Sequence, residues 1–199
     1  MADLGPLHIA LHEGDALLIV DVQNDFLPGG NVAVPDGDAV IPVLNDYIGL
    51  FHAHGFSIFA SRDWHPLDHC SFKQHGGPWP SHCMQKTRGA ELADDLELPD
   101  DAVIISKGAD ENKDAYSAFQ ETDLHVRLKA AGIHRIFVGG LATDYCVFHT
   151  VKDARARGYE VILLQDAVRA VEVESGDGLR AIQAMLALGA VIYSGARAA

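Results

Sequence analysis

Six short runs of apolar residues recur along the chain and are rich in valine, isoleucine and leucine. They are continuous and do not alternate with polar residues, which is typical of strands buried on both faces of a parallel sheet. The sequence therefore predicts six strands, at Ala16–Val20, Ser57–Ala60, Val103–Ile105, Ile136–Val138, Val161–Leu164 and Val191–Tyr193.

Helical patterns lie between these runs. In the first, Ile41, Leu44, Ile48 and Phe51 recur at helical spacing, and Gly55 marks the end of the helix. Because strands and helices alternate over short connections, we expect an α/β fold with a parallel sheet covered by helices on both faces. Three further helices are predicted: one from Thr122 as N-cap to Gly132 with the stripe Leu124, Leu128 and Ala131, one from about Thr143 to Gly158, and one ending at Gly189 with the stripe Leu179, Ile182 and Leu186.

One connection breaks this alternation, because residues 62–101 show little regular periodicity. The segment contains Trp64, Phe72 and Trp79, and four of the eleven histidines of the chain, at positions 65, 69, 75 and 82. A long irregular connection in a compact domain is usually functional or disordered, and this aromatic and histidine content argues against disorder. We therefore expect it to form the lid and wall of a site within a single domain spanning residues 1–199.

The composition argues against several classes of partner and location. With 15 basic and 28 acidic residues the formal net charge is −13, which disfavours binding to nucleic acid and to anionic membranes. No apolar run approaches the roughly 20 residues that span a bilayer, and residues 1–13 lack the basic start of a signal peptide. Cys70, Cys83 and Cys146 form no CxxC pair, so we expect no disulfide framework and a cytoplasmic protein.

Reactive side chains follow four of the predicted strands, at the point where each strand ends. Asp21 follows the first strand, Asp63 and His65 follow the second, Lys107 follows the third, and Cys146 lies just beyond the fourth. Ligands of open parallel sheets bind outside the carboxyl ends of the strands. One such residue alone would indicate a turn or a cap, but the five together predict a site at this edge.

Cys146 is the candidate nucleophile. With Thr143 as N-cap it lies at the third helical position, where free N–H groups and the helix dipole stabilise a thiolate. The preceding GGLA, residues 139–142, lets the backbone approach a ligand closely, and its N–H groups can bind an oxyanion. No histidine stands near it in a papain-like pattern, so Asp21 and Lys107 are the candidates for the base and the accompanying cation. The alternative is a buried, inert cysteine.

Asp63, His65 and His82 are candidate metal ligands. A carboxylate and an imidazole two residues apart on an extended segment point to the same side and can reach one ion. His82, in the irregular segment, can fold back as a third ligand, which leaves positions open for water or substrate. The alternative is that these side chains only form hydrogen bonds within loops.

Five motifs of the chain closely resemble those of nicotinamidases, which belong to the isochorismatase-like cysteine hydrolases. The motifs are DVQNDF followed by LPGG (Asp21–Gly30), SRDWHPLDHCSF (Ser61–Phe72), WPSHCMQKTRGAEL (Trp79–Leu92), SKG (Ser106–Gly108) and GLATDYCV (Gly140–Val147). The resemblance implies a three-layer α/β/α fold around a six-stranded parallel sheet. It also implies an amidohydrolase of NAD salvage that converts nicotinamide to nicotinate and ammonia through a cysteine thioester, and that accepts pyrazinamide as well.

The resemblance also implies a role for each candidate residue. Three residues would form the catalytic triad: Asp21, Lys107 and Cys146. Three would bind one divalent ion, zinc, iron or manganese: Asp63, His65 and His82. Two would supply the N–H groups of an oxyanion hole, next to a cis peptide between Leu141 and Ala142: Ala142 and Cys146. Three aromatic side chains would form the walls of the ring pocket: Phe26, Trp79 and Tyr116. His69 would lie behind the ligands or add a fourth one.

Three other functions share some of these features. A related amidase acting on a carbamoyl or ureido group would keep the Asp–Lys–Cys set but lack the metal pair, so Asp63, His65 and His82 argue against it. A vinyl-ether-cleaving isochorismatase would do without the nucleophilic cysteine. A non-catalytic binding domain would have no need of all these groups. We therefore expect the small molecule nicotinamide as substrate; the sequence leaves a homo-oligomer open.

Overall fold

The computed structural model describes residues 10–195, and a sheet of six parallel strands forms its centre. The spatial order of the strands is β3-β2-β1-β4-β5-β6. All six predicted runs lie inside strands, which confirms them. The strands are β1 (Asp15–Val20), β2 (Ser57–Asp63), β3 (Val103–Lys107), β4 (Arg135–Leu141), β5 (Glu160–Arg169) and β6 (Val191–Tyr193). Most of the N-terminal segment that lacks signal-peptide features lies outside the described residues.

The two faces of the sheet pack against two separate hydrophobic cores. On β1, Leu17 and Ile19 face the core that holds α1 (Val40–Ala53). Leu18 and Val20 face the opposite core. Three helices contribute to that second core: α2 (Leu124–Ala130), α3 (Phe148–Ala156) and α4 (Asp177–Ala187). This alternation explains why the strands are apolar throughout, and it confirms the three-layer α/β/α fold.

Helix α4 turns a different face to the sheet from the one that its leucines predict. Leu179 and Leu186 are 60% and 42% exposed, whereas Ala181 and Met185 are buried against the core. Gly178 lies on the buried face too, and a Cβ there would come within 2.7 Å of the Ala170 Cβ. Of the predicted stripe, Ile182 packs against the core as expected, but the prediction was wrong for Leu179 and Leu186. Small residues let the helix pack closely, and this contact outweighs the hydrophobicity of the two leucines.

Two other helix details also differ from the prediction. Helix α2 begins one residue after the expected position, with Asp123 as N-cap, although Thr122 Oγ1 still accepts a hydrogen bond from the Leu124 N–H at 3.4 Å. Ala131, expected in its apolar stripe, is exposed. Before α3, one π-helical turn (Thr143–Val147) takes up the position of the expected first α-helical turn, so Ala142 is the N-cap.

The irregular connection between β2 and β3 runs back across the carboxyl end of the sheet. Its regular structure is limited to two short 3₁₀ turns, Lys73–His75 and Arg88–Ala90. Isolated bridges pair His65 with Met84 and Phe72 with Trp79, so the segment folds onto itself beside the strand ends. Among residues 10–195, no helix has the length and hydropathy needed to cross a membrane.

Candidate active site

The strand order places the reactive side chains together. The chain runs from β1 outward to β3 and then returns to start β4 beside β1, so β1 and β4 flank the point at which the direction of winding reverses. Such a reversal opens a crevice at the carboxyl ends of the strands. Asp21 follows β1, Asp63 and Lys107 end β2 and β3, and Cys146 lies in the turn after β4.

Lys107 links the acidic groups to the thiol. Its buried Nζ lies 2.9 Å from Asp21 Oδ2, 2.5 Å from Asp63 Oδ1 and 3.5 Å from Cys146 Sγ. The Ala115 carbonyl accepts a further hydrogen bond from Nζ at 3.1 Å. Two carboxylates and one ammonium in a buried space leave a single net negative charge, so the cation is needed to hold both anions there.

Asp21 has one oxygen that is fixed and one that faces the reacting groups. Oδ1 accepts a hydrogen bond of 2.6 Å from the Ser61 hydroxyl. Oδ2 is close enough to Lys107 for an ion pair, but among the described residues it accepts no hydrogen bond of good geometry. This oxygen is therefore available to take a proton.

The ionisation of the cluster differs from what the helix position of Cys146 predicts. Burial raises the pKa of the Cys146 thiol well above its usual value; Lys107 lowers it, but Asp21 and Asp63 raise it again. Burial also raises the pKa of Asp21, although Lys107 opposes this. The thiol is therefore neutral at rest. The helix dipole and the cation favour a thiolate, as the sequence predicts, but burial and the two carboxylates oppose it.

Asp63, His65 and His82 bring three ligand atoms together. These atoms lie within 4.8 Å of one another, and all three side chains are buried. The His65 Nδ1 donates to the Gly108 carbonyl at 2.9 Å, and the His82 Nδ1 donates to the Pro80 carbonyl at 2.8 Å. Because a carbonyl only accepts, each Nε2 is left with its lone pair. Two imidazoles and a carboxylate fit zinc or a similar transition metal.

The pKa values of His82 and Asp63 are consistent with a ligand set, whereas that of His65 is not, because Asp63 outweighs burial and raises it. Burial lowers the pKa of His82 and favours the neutral ring that a metal ligand requires. Burial raises the pKa of Asp63, but Lys107 and His65 outweigh it, so the pKa of this carboxyl lies well below its usual range. Asp63 is therefore ionised, as a ligand must be.

His69 lies behind this group. Its ring stacks on the His65 ring with the centroids 4.1 Å apart. Both of its nitrogens have partners, since Nδ1 lies 2.7 Å from Ser71 Oγ and Nε2 lies 3.0 Å from the Lys113 carbonyl. The sequence left open whether His69 is a metal ligand or lies behind the ligands, and in the structure it lies behind them.

A largely apolar pocket leads from the surface to Cys146. It contains about 390 Å³ of empty space, a figure that includes its open mouth. Trp79 and Tyr116 are joined by a hydrogen bond of 3.0 Å from the indole Nε1 to the phenol oxygen. The pocket is lined by Phe26, Val32, Val34, Asp63, Trp79, His82, Tyr116, Ala142, Tyr145, Cys146 and Val171. All three predicted aromatic residues and Ala142 are thus in place, and the peptide between Leu141 and Ala142 is cis, as expected.

Comparison with known proteins identifies the family. The model of the isochorismatase domain matches residues 15–196. The chain belongs to the isochorismatase family. The nicotinamidase of Escherichia coli (strain K12) is 40% identical over 90% of this chain and 94% of its own length. The nicotinamidase/pyrazinamidase of Mycobacterium tuberculosis (strain ATCC 25618 / H37Rv) is 35% identical over 80% of this chain and 89% of its own.

Solved structures of the isochorismatase family agree. The pyrazinamidase of Pyrococcus horikoshii in complex with zinc has a TM-score of 0.88 and 48% identity, and the match covers 91% of this chain and 99% of that one. The yeast nicotinamidase bound to nicotinaldehyde also matches, with a TM-score of 0.82 and 25% identity over 90% of this chain and 99% of that one.

Four residues of this isochorismatase-family pocket were missing from the sequence-predicted set: Val32, Val34, Tyr145 and Val171. Tyr145 lies edge-on to Trp79, with ring centroids 5.1 Å apart. Its position next to Cys146 in the sequence was the available signal. Val171 follows β5 and lines the pocket, and nothing in its local sequence distinguishes it from a core valine.

Proposed function

We propose that the chain is a metal-dependent nicotinamidase that converts nicotinamide to nicotinate and ammonia, and pyrazinamide to pyrazinoate, through a thioester on Cys146. One observation supports this most directly: the Lys107 ammonium contacts Asp21, Asp63 and Cys146 at the base of an aromatic pocket beside a three-residue ligand set. The names of the relatives agree with this assignment. A flat heteroaromatic amide suits the walls formed by Phe26 and Trp79.

Asp63, His65 and His82 would hold one divalent ion, and the zinc complex of the Pyrococcus relative supports zinc among the candidates. When bound, such an ion supplies a coordination position for the ring nitrogen of the substrate. The apolar walls then restrict the orientation of the ring, so that the amide carbon lies over Cys146.

The acylation step uses Asp21 as base and acid in turn. Asp21 accepts the thiol proton while Sγ attacks the amide carbon, and the carbonyl electrons move to oxygen. The N–H groups of Ala142 and Cys146 donate to this oxyanion. The protonated Asp21 then gives its proton to the amide nitrogen, because an amide anion is too poor a leaving group to depart unaided. The C–N bond breaks, ammonia leaves, and a thioester on Cys146 remains.

Hydrolysis of the thioester repeats these roles with water. Asp21 takes a proton from water as the water oxygen attacks the thioester carbon. The C–S bond breaks and sulfur recovers the proton from Asp21. The product acid loses its remaining carboxyl proton to solvent and is released as nicotinate. Lys107 keeps the Asp21 carboxylate oriented through both half-reactions and offsets the negative charge that develops on sulfur.

Ammonia release from nicotinamide tests the proposed function directly. We expect the purified protein to release one ammonia per nicotinate formed, and to act on pyrazinamide as well. Treatment with a chelator until no metal is left should abolish turnover, and added Zn²⁺, Mn²⁺ or Fe²⁺ should restore it. Ammonia release at the original rate from metal-free protein would contradict the metal requirement, and release only from carbamoyl compounds would contradict the substrate.

The variant His82→Ala should separate substrate binding from thiol chemistry. Loss of one of three ligands should lower kcat/KM by about 100-fold, mainly through a higher KM. Alkylation of Cys146 by iodoacetamide should be almost unchanged, because Asp21 and Lys107 remain in place. His75→Ala, in the same segment but outside the pocket, is the matched control. A parallel loss of alkylation in His82→Ala would show that the division of roles is wrong.

A further inference from the structure

Three polar side chains of the DVQNDF motif take no part in the chemistry described above: Gln23, Asn24 and Asp25. Each contacts backbone groups of segments that lie far away in the sequence. We propose that Gln23 and Asp25 are positioning residues for the metal ligands, Gln23 for Asp63 and Asp25 for His82. This inference rests on the proposed function, since it concerns how the same metal site is built.

Gln23 replaces a missing strand neighbour of Asp63. Strand β1 ends at Val20, which pairs with Ser61, so β2 extends two residues beyond the end of β1. On its other side Asp63 still pairs with Lys107 of β3. On the open side, the Gln23 side chain bonds both backbone groups of Asp63: Oε1 accepts from the N–H at 2.7 Å, and Nε2 donates to the carbonyl at 2.8 Å.

These two bonds fix the Asp63 backbone as a paired strand would. Gln23 is itself fully buried, and its Nε2 donates a further hydrogen bond of 3.0 Å to the Ala90 carbonyl. Its donors and its side-chain acceptor therefore all have protein partners. A buried side-chain amide with every bond satisfied is rigid, and so is the carboxylate attached to the backbone that it holds.

Asp25 acts in the same way beside His82. The Asp25 side chain is buried, and its Oδ2 accepts the N–H of Cys83, the residue after His82, at 2.7 Å. The Cys83 carbonyl accepts from the His65 N–H at 3.0 Å, so this residue is held on both sides. Cys83 has a φ of +45°, which L-residues adopt only when their surroundings impose it.

The two contacts together set the separation between the ligands. Asp63 ends a strand and His82 lies in the irregular segment, so the two ligand segments share no strand or helix and are joined directly by the isolated bridge between His65 and Met84. Gln23 and Asp25 are two residues apart in one short turn after β1, and each holds one of the two ligand segments. The affinity for the ion should therefore depend on both side chains, although neither belongs to the group of ligand atoms.

The affinity for Zn²⁺ tests this proposal, measured by competition with a chromophoric chelator. Gln23→Met keeps the size of the side chain but removes all three of its hydrogen bonds. Asp25→Asn replaces one carboxylate oxygen by an NH₂ group, which then faces one of the two backbone N–H groups that Asp25 accepts from. Each should bind Zn²⁺ about 10- to 100-fold more weakly than the original protein. Asn24→Ala is the matched control: it removes hydrogen bonds to the Arg88 and Glu91 carbonyls and should change the affinity less than twofold.

Thermal unfolding with and without Zn²⁺ separates positioning from a purely structural role. A structural role lowers the Tm of the metal-free variant but leaves the increase caused by Zn²⁺ unchanged, whereas weaker binding reduces that increase. If Gln23→Met does not fold, Gln23→Glu replaces it, because it keeps the acceptor for the Asp63 N–H and loses only the donor. It should also bind Zn²⁺ more weakly, since its second oxygen faces two carbonyls.

The outcomes distinguish this inference from the proposed function. Normal Zn²⁺ binding by the original protein, together with unchanged affinity in the Gln23 and Asp25 variants, overturns the positioning role alone. An equal loss in Asn24→Ala also overturns it, because the effect would then belong to the whole turn. Failure of the original protein to bind Zn²⁺, Mn²⁺ or Fe²⁺ overturns the metal site of the proposed function and the positioning role with it.

Discussion

Replacing Cys146 by alanine is expected to lower the rate of nicotinamide hydrolysis by about 10⁴-fold or more. The buried Asp21, Lys107 and metal-ligand groups stay in place, but no atom remains to form the thioester. Acid-quenched turnover of the original protein should show, by mass spectrometry, a nicotinoyl adduct on the peptide that contains Cys146. The alanine variant should show none while binding Zn²⁺ normally.

Cys146→Ser is the sharper variant of this test. A serine hydroxyl has nearly the same size, but its pKa is much higher, so Asp21 is too weak a base to remove its proton. We therefore expect Cys146→Ser to be almost as inactive as Cys146→Ala. Cys70→Ala is the matched control, because this half-buried thiol lies outside the pocket and its loss should leave the rate unchanged. Substantial hydrolysis by Cys146→Ala would mean that water, and not this cysteine, attacks the amide.

The strands were the most predictable part of the molecule. A strand buried on both faces is apolar at every position. In β1, the consecutive residues Leu17, Leu18 and Ile19 show this pattern, and all three are buried. The placement of Asp21, Asp63 and Lys107 at one edge followed from the same pattern, because parallel strands end on the same side. The topology of the sheet alone therefore places most of the proposed catalytic residues together, without any contribution from the loops.

Helix faces were less predictable than strands. Helix α4 has two apolar stripes, and the sequence does not say that Gly178 and Ala181 let one of them approach the sheet more closely than Leu179 and Leu186 would. The first turn after β4 was also beyond pattern analysis. There the Val147 N–H bonds to the Ala142 carbonyl, five residues back, and this wider turn moves Cys146 by one position relative to the cap.

The electrostatic state of the site depended on burial that the sequence does not show. A helix N-terminus and a lysine both favour a thiolate, and both are present. The structure adds that Cys146 is only 6% exposed and shares its surroundings with Asp21 and Asp63. The contacts of Tyr145 and Gln23 also depend on segments that are distant in the sequence. The sequence shows only that Tyr145 is next to Cys146 and that Gln23 is close to Asp21.

Asp21→Asn should reduce turnover by about 10²- to 10⁴-fold while it increases the reactivity of the thiol. Asparagine has the size of aspartate and keeps an acceptor for the Ser61 hydroxyl, so substrate should still bind with a similar KM. It cannot take the thiol proton or return one to the leaving nitrogen, and kcat falls. The Asp21 charge raises the pKa of Cys146, so its removal should lower that pKa and speed alkylation by iodoacetamide at neutral pH.

The pH dependence supplies an independent check on the same residue. Burial raises the pKa of Asp21 above that of an ordinary carboxyl, and the ionised form is the base, so kcat/KM of the original protein should fall as the pH falls through this raised pKa. The residual activity of Asp21→Asn should lack that acid limb, whereas Asp68→Asn, at an exposed carboxylate, should retain it. Slower alkylation together with lost turnover in Asp21→Asn would contradict the proposal, because it would mean that the carboxylate stabilises the thiolate instead of accepting the proton from the thiol.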